Sequence, residues 1–425
     1  MTSRVLQPVR GMNDQLPADL PLWHRLEGEV RALLHSYGYD EIRVPIVEQT
    51  QLFSRAIGEY TDVVEKEMYS FTDQGGEQLT LRPEATAGVV RAVISNGMLR
   101  GARLKLWCAG PMFRHERPQK GRYRQFHQVS VEAIGFAGPD VDAELILLGT
   151  ALWRRLGIAP VSLSINSLGT ASARAAYRAV LQDYFRGYYA ELDDDSRRRL
   201  DGNPLRILDS KNPDLQKIIA AAPSLSDHLD GESAEHFGTL QGLLGDAGVA
   251  FTVNPRLVRG LDYYSRTVFE WTTTALGAQD AICSGGRYDG LIQVLGGEPT
   301  PAIGFAMGLE RIVSLMQHCG AAAPVPAPDV YVIAEGDRAL SRAMRLAEHL
   351  RTERPGWQVQ VNLGGGNFKA QFRRAAKMGA RVALILGDRE LERDVVGLKV
   401  LAGGQQGEQL ELRPAELPGA IDAHL

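Results

Sequence analysis

A Pro- and Ala-rich stretch divides the chain into two parts with different residue patterns. Residues 320–328 have the sequence GAAAPVPAP, which is typical of a semi-rigid linker. A chain of 425 residues has room for about three ordinary domains. We therefore expect a large part over residues 1–325 and a small part over residues 329–425, each with its own core.

The part after the linker alternates between apolar, strand-like runs and amphipathic helical segments. This alternation predicts a small α/β domain with a mostly parallel sheet. The expected elements are a strand at 330–334, a helix at 340–351, a strand at 358–362, a helix at 368–378 and a strand at 381–386.

The part before the linker mixes helical segments with strand-like runs. A helix is expected at 20–37, two strands about a turn at 104–135, and further strand-like runs at 41–47, 79–82 and 251–271. The mixture favours an α+β core, in which helices flank an antiparallel sheet. The charged residues 171–248 predict a helical insertion into that core.

The charge balance excludes a protein that is basic throughout. Lys and Arg total 47 against 51 Asp and Glu, a formal net charge of −4, so any polyanion must be bound by local clusters of cations. No membrane-spanning run of about 20 apolar residues is seen, and residues 1–10 lack the apolar core of a secretory signal. The three cysteines are far apart, which predicts neither a disulfide framework nor a zinc site and favours a cytoplasmic location.

The most distinctive segment is the basic stretch 114–127, which contains five Lys or Arg and one carboxylate. Turn residues at 118–121 predict a hairpin tip. On the returning strand, alternation places five side chains on one face: Arg124, Phe126, Gln128, Ser130 and Glu132. That face suits an anion, a flat heterocycle and an amino group or imidazole. Composition alone favours a plainer alternative, a solvated basic hairpin.

Four further segments place reactive or polar residues beside strand or turn signals: RPEAT at 82–86, LVRGLDYYSRTVFE at 257–270, GGRYDG at 285–290 and AIGFAMGLERI at 302–312. Plainer interpretations stay open for two of them. Gly285 and Gly286 equally fit a simple turn. Tyr263 and Tyr264 fit core aromatics, and only one of them would face a pocket from a regular strand.

Taken in this order, the segments resemble the histidyl-tRNA synthetase family of class II aminoacyl-tRNA synthetases. FRHERPQKGRYRQFHQ and GFAMGLER resemble class II motifs 2 and 3, and LVRGLDYYSRTVFE resembles the histidine-specific signature. Pro45 resembles the motif 1 proline of a dimer interface, whereas Ala85 stands where the family commonly has Gly. The resemblance implies a class II antiparallel sheet, an anticodon-binding-like domain over 329–425 and a homodimer.

The implied reaction is the ATP-dependent ligation of L-histidine to tRNA(His) through a histidyl-adenylate, with release of AMP and pyrophosphate and with Mg²⁺ as a cofactor. Neither step requires a covalent enzyme intermediate, so positioning and charge stabilisation at the α-phosphate would dominate catalysis. No metal ligand is assigned among the protein side chains.

The resemblance also implies roles for individual residues in ATP binding and catalysis. Arg114 would hold the α-phosphate, Glu116 would accept from the adenine amino group, and Phe126 would stack on the ring. Arg311 would meet the other ring face or the γ-phosphate, where Arg122 would be a second ligand. The second catalytic residue beside Arg114 is Arg259, which would lie between the α-phosphate and the histidine carboxylate, where a metal ion would otherwise be expected. Arg114, Arg259 and Arg311 are the three motif arginines.

The implied histidine site divides into two groups of residues. Glu84, Thr86 and Gln128 would contact the α-amino group. The imidazole would be read by Glu132 and Tyr264, with help from the remaining two tyrosines, Tyr263 and Tyr288. A pocket whose buried polar groups need both a donor and an acceptor rejects Phe, Leu or Gln, because these would leave those groups unpaired.

In the C-terminal part, Lys369, Arg373 and Lys377 recur every four residues and so share one helix face. A solvated helix face explains them, while the resemblance implies contacts to the tRNA backbone. A paralogue that binds histidine and regulates the first enzyme of histidine biosynthesis is an alternative function. Such paralogues lack an anticodon domain and lose motif arginines, both of which this chain keeps. A synthetase for another amino acid of the subclass is disfavoured by LVRGLDYY.

Overall fold

The computed structural model describes residues 5–58, 61–101, 103–119, 121–208, 210, 212–276, 281–321, 327–401 and 409–425. The fold consists of two compact units, Met1–Ala323 and Pro324–Leu425. Most of the proposed linker at 320–328 lies outside the described residues, so each unit is described by itself.

The strands and helices alternate irregularly along the larger unit and more regularly along the smaller one. The strands are β1 (Asp40–Glu41), β2 (Val47–Gln49), β3 (Tyr69–Thr72), β4 (Gln78–Leu81), β5 (Leu104–Phe113), β6 (Gln125–Ile134), β7 (Ser162–Ser167), β8 (Thr252–Val253), β9 (Ser265–Thr272), β10 (Ala281–Arg287), β11 (Ala302–Gly308), β12 (Val330–Ala334), β13 (Val359–Val361), β14 (Val382–Leu386), β15 (Val396–Val400) and β16 (Leu410–Leu412). The α-helices are α1 (Leu20–Ser36), α2 (Thr50–Ile57), α3 (Thr86–Ser95), α4 (Pro139–Leu156), α5 (Ala171–Arg186), α6 (Asp194–Gly202), α7 (Gln216–Ala221), α8 (Gly231–Asp246), α9 (Leu291–Val294), α10 (Leu309–His318), α11 (Asp337–Glu353), α12 (Phe368–Lys377), α13 (Asp388–Glu392) and α14 (Leu417–Asp422).

The larger unit is built on an eight-stranded sheet with the order β1-β5-β6-β11-β10-β9-β7-β8. The six central strands pair antiparallel, and only the short edge strands β1 and β8 pair parallel to their neighbours. A separate three-stranded sheet has the order β2-β4-β3. The expected α+β architecture with a predominantly antiparallel sheet is confirmed.

The two faces of the large sheet carry different side chains because neighbouring residues of a strand point to opposite faces. One face is large and apolar, with Val131, Phe269 and Phe305 buried in a core that also includes residues of α1, α4, α8 and α10. The opposite face carries the polar alternation predicted for β6 and packs in part against α2 and α3. The β6 residues that were predicted to bind substrates therefore lie on the face that the sequence indicated.

Two predicted strands are shorter than expected. The run 41–47 contributes only its ends to strands, because Pro45 at its centre has no N–H to donate to a ladder. Within 251–271, residues 254–264 form turns between β8 and β9. Asn254 starts this turn segment, since its Oδ1 accepts the backbone N–H of Arg256 at 3.0 Å, an Asx-type turn that competes with strand pairing.

Helices α5 to α8 occupy most of the sequence between β7 and β8. Helices α5 to α7 share an apolar cluster, in which Tyr177, Leu181 and Phe185 are fully buried, whereas α8 packs into the main core. The same cluster includes Leu257 and Tyr264. The helical segment thus packs directly on the turn segment that precedes β9.

The smaller unit has a five-stranded sheet with the order β13-β12-β14-β15-β16. The three strands predicted from the sequence, β12, β13 and β14, are parallel. β15 and β16 add to one edge in antiparallel orientation, which the alternating pattern did not predict. No helix within the described ranges is both long and apolar enough to cross a membrane.

A buried ion network joins three distant segments of the larger unit. Arg287, at the end of β10, is fully buried and bonds both carboxylate oxygens of Asp142, with Nη2–Oδ1 and Nε–Oδ2 distances of 2.7 and 3.1 Å. Asp142 lies in the first turn of α4, and its Oδ2 is also 2.8 Å from Nε2 of His236 on α8. The remaining Arg287 donors reach the carbonyls of Phe136 and Gly138. Removing one charge from such a network is strongly destabilising, because the partner charge would stay buried without compensation.

We therefore expect Asp142→Asn to lower the free energy of unfolding of the larger unit by about 3 to 5 kcal/mol. Asp140→Asn, an exposed position in the same first turn, is the matched control and should cost well below about 1 kcal/mol. Urea unfolding followed by tryptophan fluorescence measures both. Equal effects of the two substitutions would show that the buried network does not stabilise the fold.

Candidate active site

A cavity of about 780 Å³ lies on the polar face of the large sheet. Its walls come from the segment between β5 and β6, from the turn segment before β9, and from β10, β11 and the start of α10. Seven residues that the sequence predicted for binding or catalysis line it together: Arg114, Glu116, Arg122, Phe126, Gln128, Arg259 and Arg311.

Glycines on neighbouring strands leave room for polar side chains next to the cavity. Gly304 of β11 is the register partner of both Glu132 on β6 and Gly286 on β10. A Cβ atom at Gly304 would be 1.9 Å from Oε2 of Glu132, and one at Gly286 would be 2.9 Å from Cδ1 of Tyr264. Gly285 and Gly286 are therefore not simple turn residues, since both lie within β10 and allow close approach of their neighbours.

Two of the arginines predicted to bind ATP, Arg114 and Arg311, bond to nearby groups of the protein. Nε of Arg114 donates to the Pro83 carbonyl at 2.8 Å, and its guanidinium lies 5.5 Å from the centre of the Phe126 ring. Arg311, near the start of α10, donates to the Ala281 carbonyl. These contacts hold the two motif arginines in the lining of one cavity.

Glu116 and Arg122 form an ion pair, with Oε2 and Nη1 2.7 Å apart. The sequence assigned them to opposite ends of a nucleotide, the adenine amino group and the γ-phosphate. In this structure each neutralises the other, so a nucleotide that used both would have to separate them.

Arg259 is held by two side chains on adjacent strands. Its Nη1 is 2.6 Å from Oε2 of Glu270, its Nη2 is 2.5 Å from Oγ of Ser284, and its guanidinium lies 5.9 Å from the centre of the Tyr264 ring. The sequence predicted Arg259 as a catalytic cation but assigned no partner to it. Glu270 and Ser284 are among the site residues that sequence reasoning missed.

A fully buried carboxyl group lies behind the cavity. Oε1 of Glu132 accepts from the Thr86 hydroxyl at 2.7 Å, and Oε2 accepts from the Tyr288 hydroxyl at 2.5 Å. Burial raises the pKa of Glu132 to about 8, although both hydrogen bonds act in the opposite direction. The carboxyl is therefore largely protonated at neutral pH in the ligand-free site.

Two further residues of the predicted histidine site differ in how their polar atoms are used. Glu84 accepts the backbone N–H groups of Thr86 and Ala87, at 2.6 and 2.9 Å, and so caps α3; burial raises its pKa. By contrast, Oε1 of Gln128 is buried and has no hydrogen-bond partner in the described part of the chain. Because Gln128 lines the cavity, this oxygen is an acceptor available to a ligand.

The three predicted tyrosines lie together. The Tyr263 ring centre is 4.6 Å from that of Tyr264 and 5.6 Å from that of Tyr288. The expectation that only one of Tyr263 and Tyr264 faces the site does not apply, because both belong to a turn and not to a regular strand. Tyr288 bonds directly to Glu132, whereas Tyr264 lines a neighbouring cavity of about 400 Å³ beneath α5.

Sequence reasoning missed Glu270, Ser284 and Glu310. Two signals were available in the sequence: Glu310 directly precedes Arg311, and Glu270 ends the same LVRGLDYYSRTVFE segment that contains Arg259. Both carboxylate oxygens of Glu310 are 2.9 Å from the backbone N of His127, and Oε1 is equally far from its Nδ1. Across the described ranges, no group of three or more His, Cys, Asp or Glu side chains could hold a metal ion.

In the smaller unit, α12 presents a basic face. Lys369, Arg373 and Lys377 are exposed, whereas Gln371 and Ala375 of the same helix are fully buried. The structure thus brings the three predicted cations to one exposed side of the helix. This arrangement fits a polyanion and equally a solvated surface.

Comparisons with known proteins agree on one family. A sequence model described as histidyl-tRNA synthetase matches residues 11–312, and one described as an anticodon binding domain matches residues 329–424. The apo structure of S. aureus histidyl-tRNA synthetase is 33% identical, with a TM-score of 0.82 over 99% of this chain and 100% of that chain. Histidyl-tRNA synthetase from Nostoc is 21% identical, with a TM-score of 0.69 over 99% of each chain.

A third similar structure, from Bacillus halodurans, is described as an ATP phosphoribosyltransferase regulatory subunit/histidyl-tRNA synthetase. It is 22% identical, with a TM-score of 0.63 over 88% of this chain and 98% of that chain. At this identity, as for the Nostoc protein, the likeness concerns the fold alone.

The buried carboxyl predicts a specific dependence of stability on pH. Because the folded-state pKa of Glu132, about 8, exceeds its ordinary value of 4.5, the associated stabilisation is fully present below about pH 4.5 and is lost as the pH rises towards 8. The Glu132→Gln variant lacks this titrating carboxyl, so its free energy of unfolding should depend less on pH. Relative to the variant, ligand-free wild type should lose about 2 to 4 kcal/mol of unfolding free energy between pH 5 and pH 8. Parallel curves from urea unfolding would contradict a buried, protonated Glu132.

Proposed function

The chain belongs to the histidyl-tRNA synthetase family and is a class II histidine–tRNA ligase, and we propose that it works through a histidyl-adenylate. In the first step, a carboxylate oxygen of histidine attacks the α-phosphorus of ATP and pyrophosphate leaves. In the second, a ribose hydroxyl at the 3′ end of tRNA(His) attacks the histidyl carbonyl and AMP leaves. The observation that carries this proposal is the convergence of Arg114, Arg259 and Arg311 on one cavity.

ATP is the substrate that these three cations fit. Arg114 lies beside Phe126, so the α-phosphate would be held next to the ring on which adenine stacks. Arg311, which lines the same cavity, would meet the other face of the adenine ring or the γ-phosphate. Glu116 would accept from the adenine amino group and Arg122 would bind the γ-phosphate once their ion pair separates. A planar guanidinium suits both phosphate and an aromatic ring face.

Histidine is read by the groups behind the cavity. The unpaired Oε1 of Gln128 would accept from the α-ammonium, together with Glu84 and Thr86. Glu132 would meet the imidazole, and Tyr263, Tyr264 and Tyr288 would surround it. A side chain without both a donor and an acceptor would leave these buried polar groups unpaired, which is a strong basis for rejection.

Catalysis in the first step would come from fixed charge. Negative charge grows on the α-phosphate oxygens as the histidine carboxylate approaches, and two like-charged groups must be brought together. Arg259 and Arg114 would lower both costs, because their positive charges are already oriented when the substrates bind. No side chain needs to form a covalent bond with either substrate.

We propose that Mg²⁺ accompanies ATP and is held mainly by phosphate oxygens and water, as this ion prefers. The carboxylates of Glu116, Glu270 and Glu310 line the cavity, but each already bonds to Arg122, Arg259 or His127. Any of these carboxylates would hold such an ion only after leaving its present partner, and the ion would supply positive charge beside the phosphates. The protein's own contribution to the chemistry is the pair of catalytic arginines.

For the remaining partners, we propose that Lys369, Arg373 and Lys377 contact the tRNA backbone and that the chain is a homodimer. Support for the dimer comes from the three-stranded sheet, where Ile46, Val47 and Phe71 are 42%, 37% and 44% exposed beside Pro45. Exposed apolar groups of this kind are typical of a surface covered by a partner. A cytoplasmic location agrees with free thiols at all three cysteines.

A regulatory histidine-binding protein is the competing function, since the Bacillus halodurans structure has that description in part. The retained arginines of the cavity and the match of residues 329–424 to an anticodon binding domain support the ligase instead. A protein that only bound histidine would have no use for cations arranged around a nucleotide.

The adenylate pathway predicts histidine-dependent exchange of labelled pyrophosphate into ATP. Tested across all twenty amino acids, only histidine should support rapid exchange, and Arg259→Ala should slow it by about 10²-fold or more with nearly unchanged histidine binding. Exchange with another amino acid would contradict the proposed pocket. Histidine binding without any exchange would favour the regulatory function.

A further inference from the structure

Arg259 is positioned by residues of the sheet and not by its own backbone. It belongs to the turn segment 254–264, which has no regular secondary structure, and its long side chain has many rotamers. Glu270 on β9 and Ser284 on β10 are direct register partners in the antiparallel ladder. Residues opposite each other in such a ladder project to the same face with closely spaced Cβ atoms. The sheet therefore presents a carboxylate and a hydroxyl side by side to one guanidinium.

The two contacts fix the direction of the guanidinium plane. Glu270 accepts from Nη1 at 2.6 Å and Ser284 accepts from Nη2 at 2.5 Å. The side chains of Arg259 and Glu270 are only 18% and 20% exposed, so the bonds form in a partly desolvated site where charge-assisted hydrogen bonds are strong. A planar group gripped at two different nitrogen atoms cannot rotate without breaking a bond.

Both partners also line the main cavity. An ion pair that served only to stabilise the fold could lie anywhere on the surface, whereas this one lies where the reacting groups would meet. Glu270 also balances the charge of Arg259 when no phosphate is bound. A cation held in this way keeps its orientation before the substrates arrive, which is the condition for electrostatic preorganisation.

We propose that Glu270 and Ser284 are positioning residues, which act through Arg259 to aim its charge at the point where the histidine carboxylate meets the α-phosphate. The proposal rests on the catalytic role proposed above for Arg259. Neither residue needs to touch a substrate. Their loss should affect the rate of adenylate formation and not the recognition of histidine.

The test compares full-length Glu270→Gln, Ser284→Ala, Arg259→Ala and the double variant Arg259→Ala/Glu270→Gln. Single-turnover formation of histidyl-adenylate and equilibrium binding of histidine are measured for each. Glu270→Gln should slow adenylate formation by about 10²-fold, the scale expected when a catalytic group is misplaced, and Ser284→Ala by about tenfold. Histidine binding should be nearly unchanged in both.

The double variant separates positioning from other roles. If Glu270 acts through Arg259, adding Glu270→Gln to Arg259→Ala should cause no further loss of rate. Glu270→Asp, which keeps the charge, should recover part of the rate lost in Glu270→Gln. The control is Glu144→Gln, which breaks a half-buried Lys105–Glu144 ion pair that does not line the cavity and should leave the rate of adenylate formation at the wild-type value.

Three results would overturn the proposal. The first is a multiplicative loss in the double variant, which would mean that Glu270 acts independently of Arg259. The second is a rise in the Mg²⁺ concentration needed for half-maximal rate in Glu270→Gln, which would make Glu270 a metal ligand. The third is an undiminished rate in Glu270→Gln while Arg259→Ala is slow, which would leave the catalytic role of Arg259 intact. A fast Arg259→Ala variant would instead contradict the proposed function itself.

Discussion

The antiparallel pairing of β6, β11, β10 and β9 is the constraint on which the active site depends. Its register aligns residues from four separate segments in rows across the sheet, so that Glu132, Gly304 and Gly286 form one row. Ser130, Ala306, Ser284 and Glu270 form another. Gly304 leaves room for Glu132 in the first row, and Ala306 and Ser284 separate Ser130 from Glu270 in the second. The cavity exists because these strands pair in this register and carry no bulk on this face.

The same strands connect stability with recognition. Arg287 and Tyr288 are adjacent in sequence, yet Arg287 bonds to Asp142 while Tyr288 bonds to Glu132. The ion network with Asp142 thus fixes the end of β10, directly before Tyr288, which donates a hydrogen bond to the buried Glu132. Both carboxyl groups are fully buried, but Asp142 has the cationic guanidinium of Arg287 beside it. Glu132 has only two hydroxyl groups, so its burial raises its pKa.

The sequence predicted elements and faces well where local periodicity decides them. Alternation along β6 correctly placed Phe126, Gln128 and Glu132 on the cavity side, and the parallel strands of the smaller unit followed from their apolar runs. The sequence did not predict side-chain contacts that depend on strand register. The contact of Arg259 with Glu270 depends on the register of β9 and β10. The turn that brings Tyr263 against Tyr264 was likewise missed because turn geometry overrides strand alternation. The assigned roles of these residues in binding and catalysis stay predictions.

The central claim is that the bare backbone of Gly304 makes room for the carboxyl that reads histidine. Titration calorimetry of histidine and of ATP into Gly304→Ala tests it most directly, with thermal unfolding as the check that the variant is folded. A Cβ at this position would meet Oε2 of Glu132 at 1.9 Å, so histidine affinity should fall by about 10²-fold, as expected for a displaced, partly unsatisfied polar group, while ATP binding stays near wild type. Unchanged histidine affinity, or equal losses for both ligands, would contradict the account.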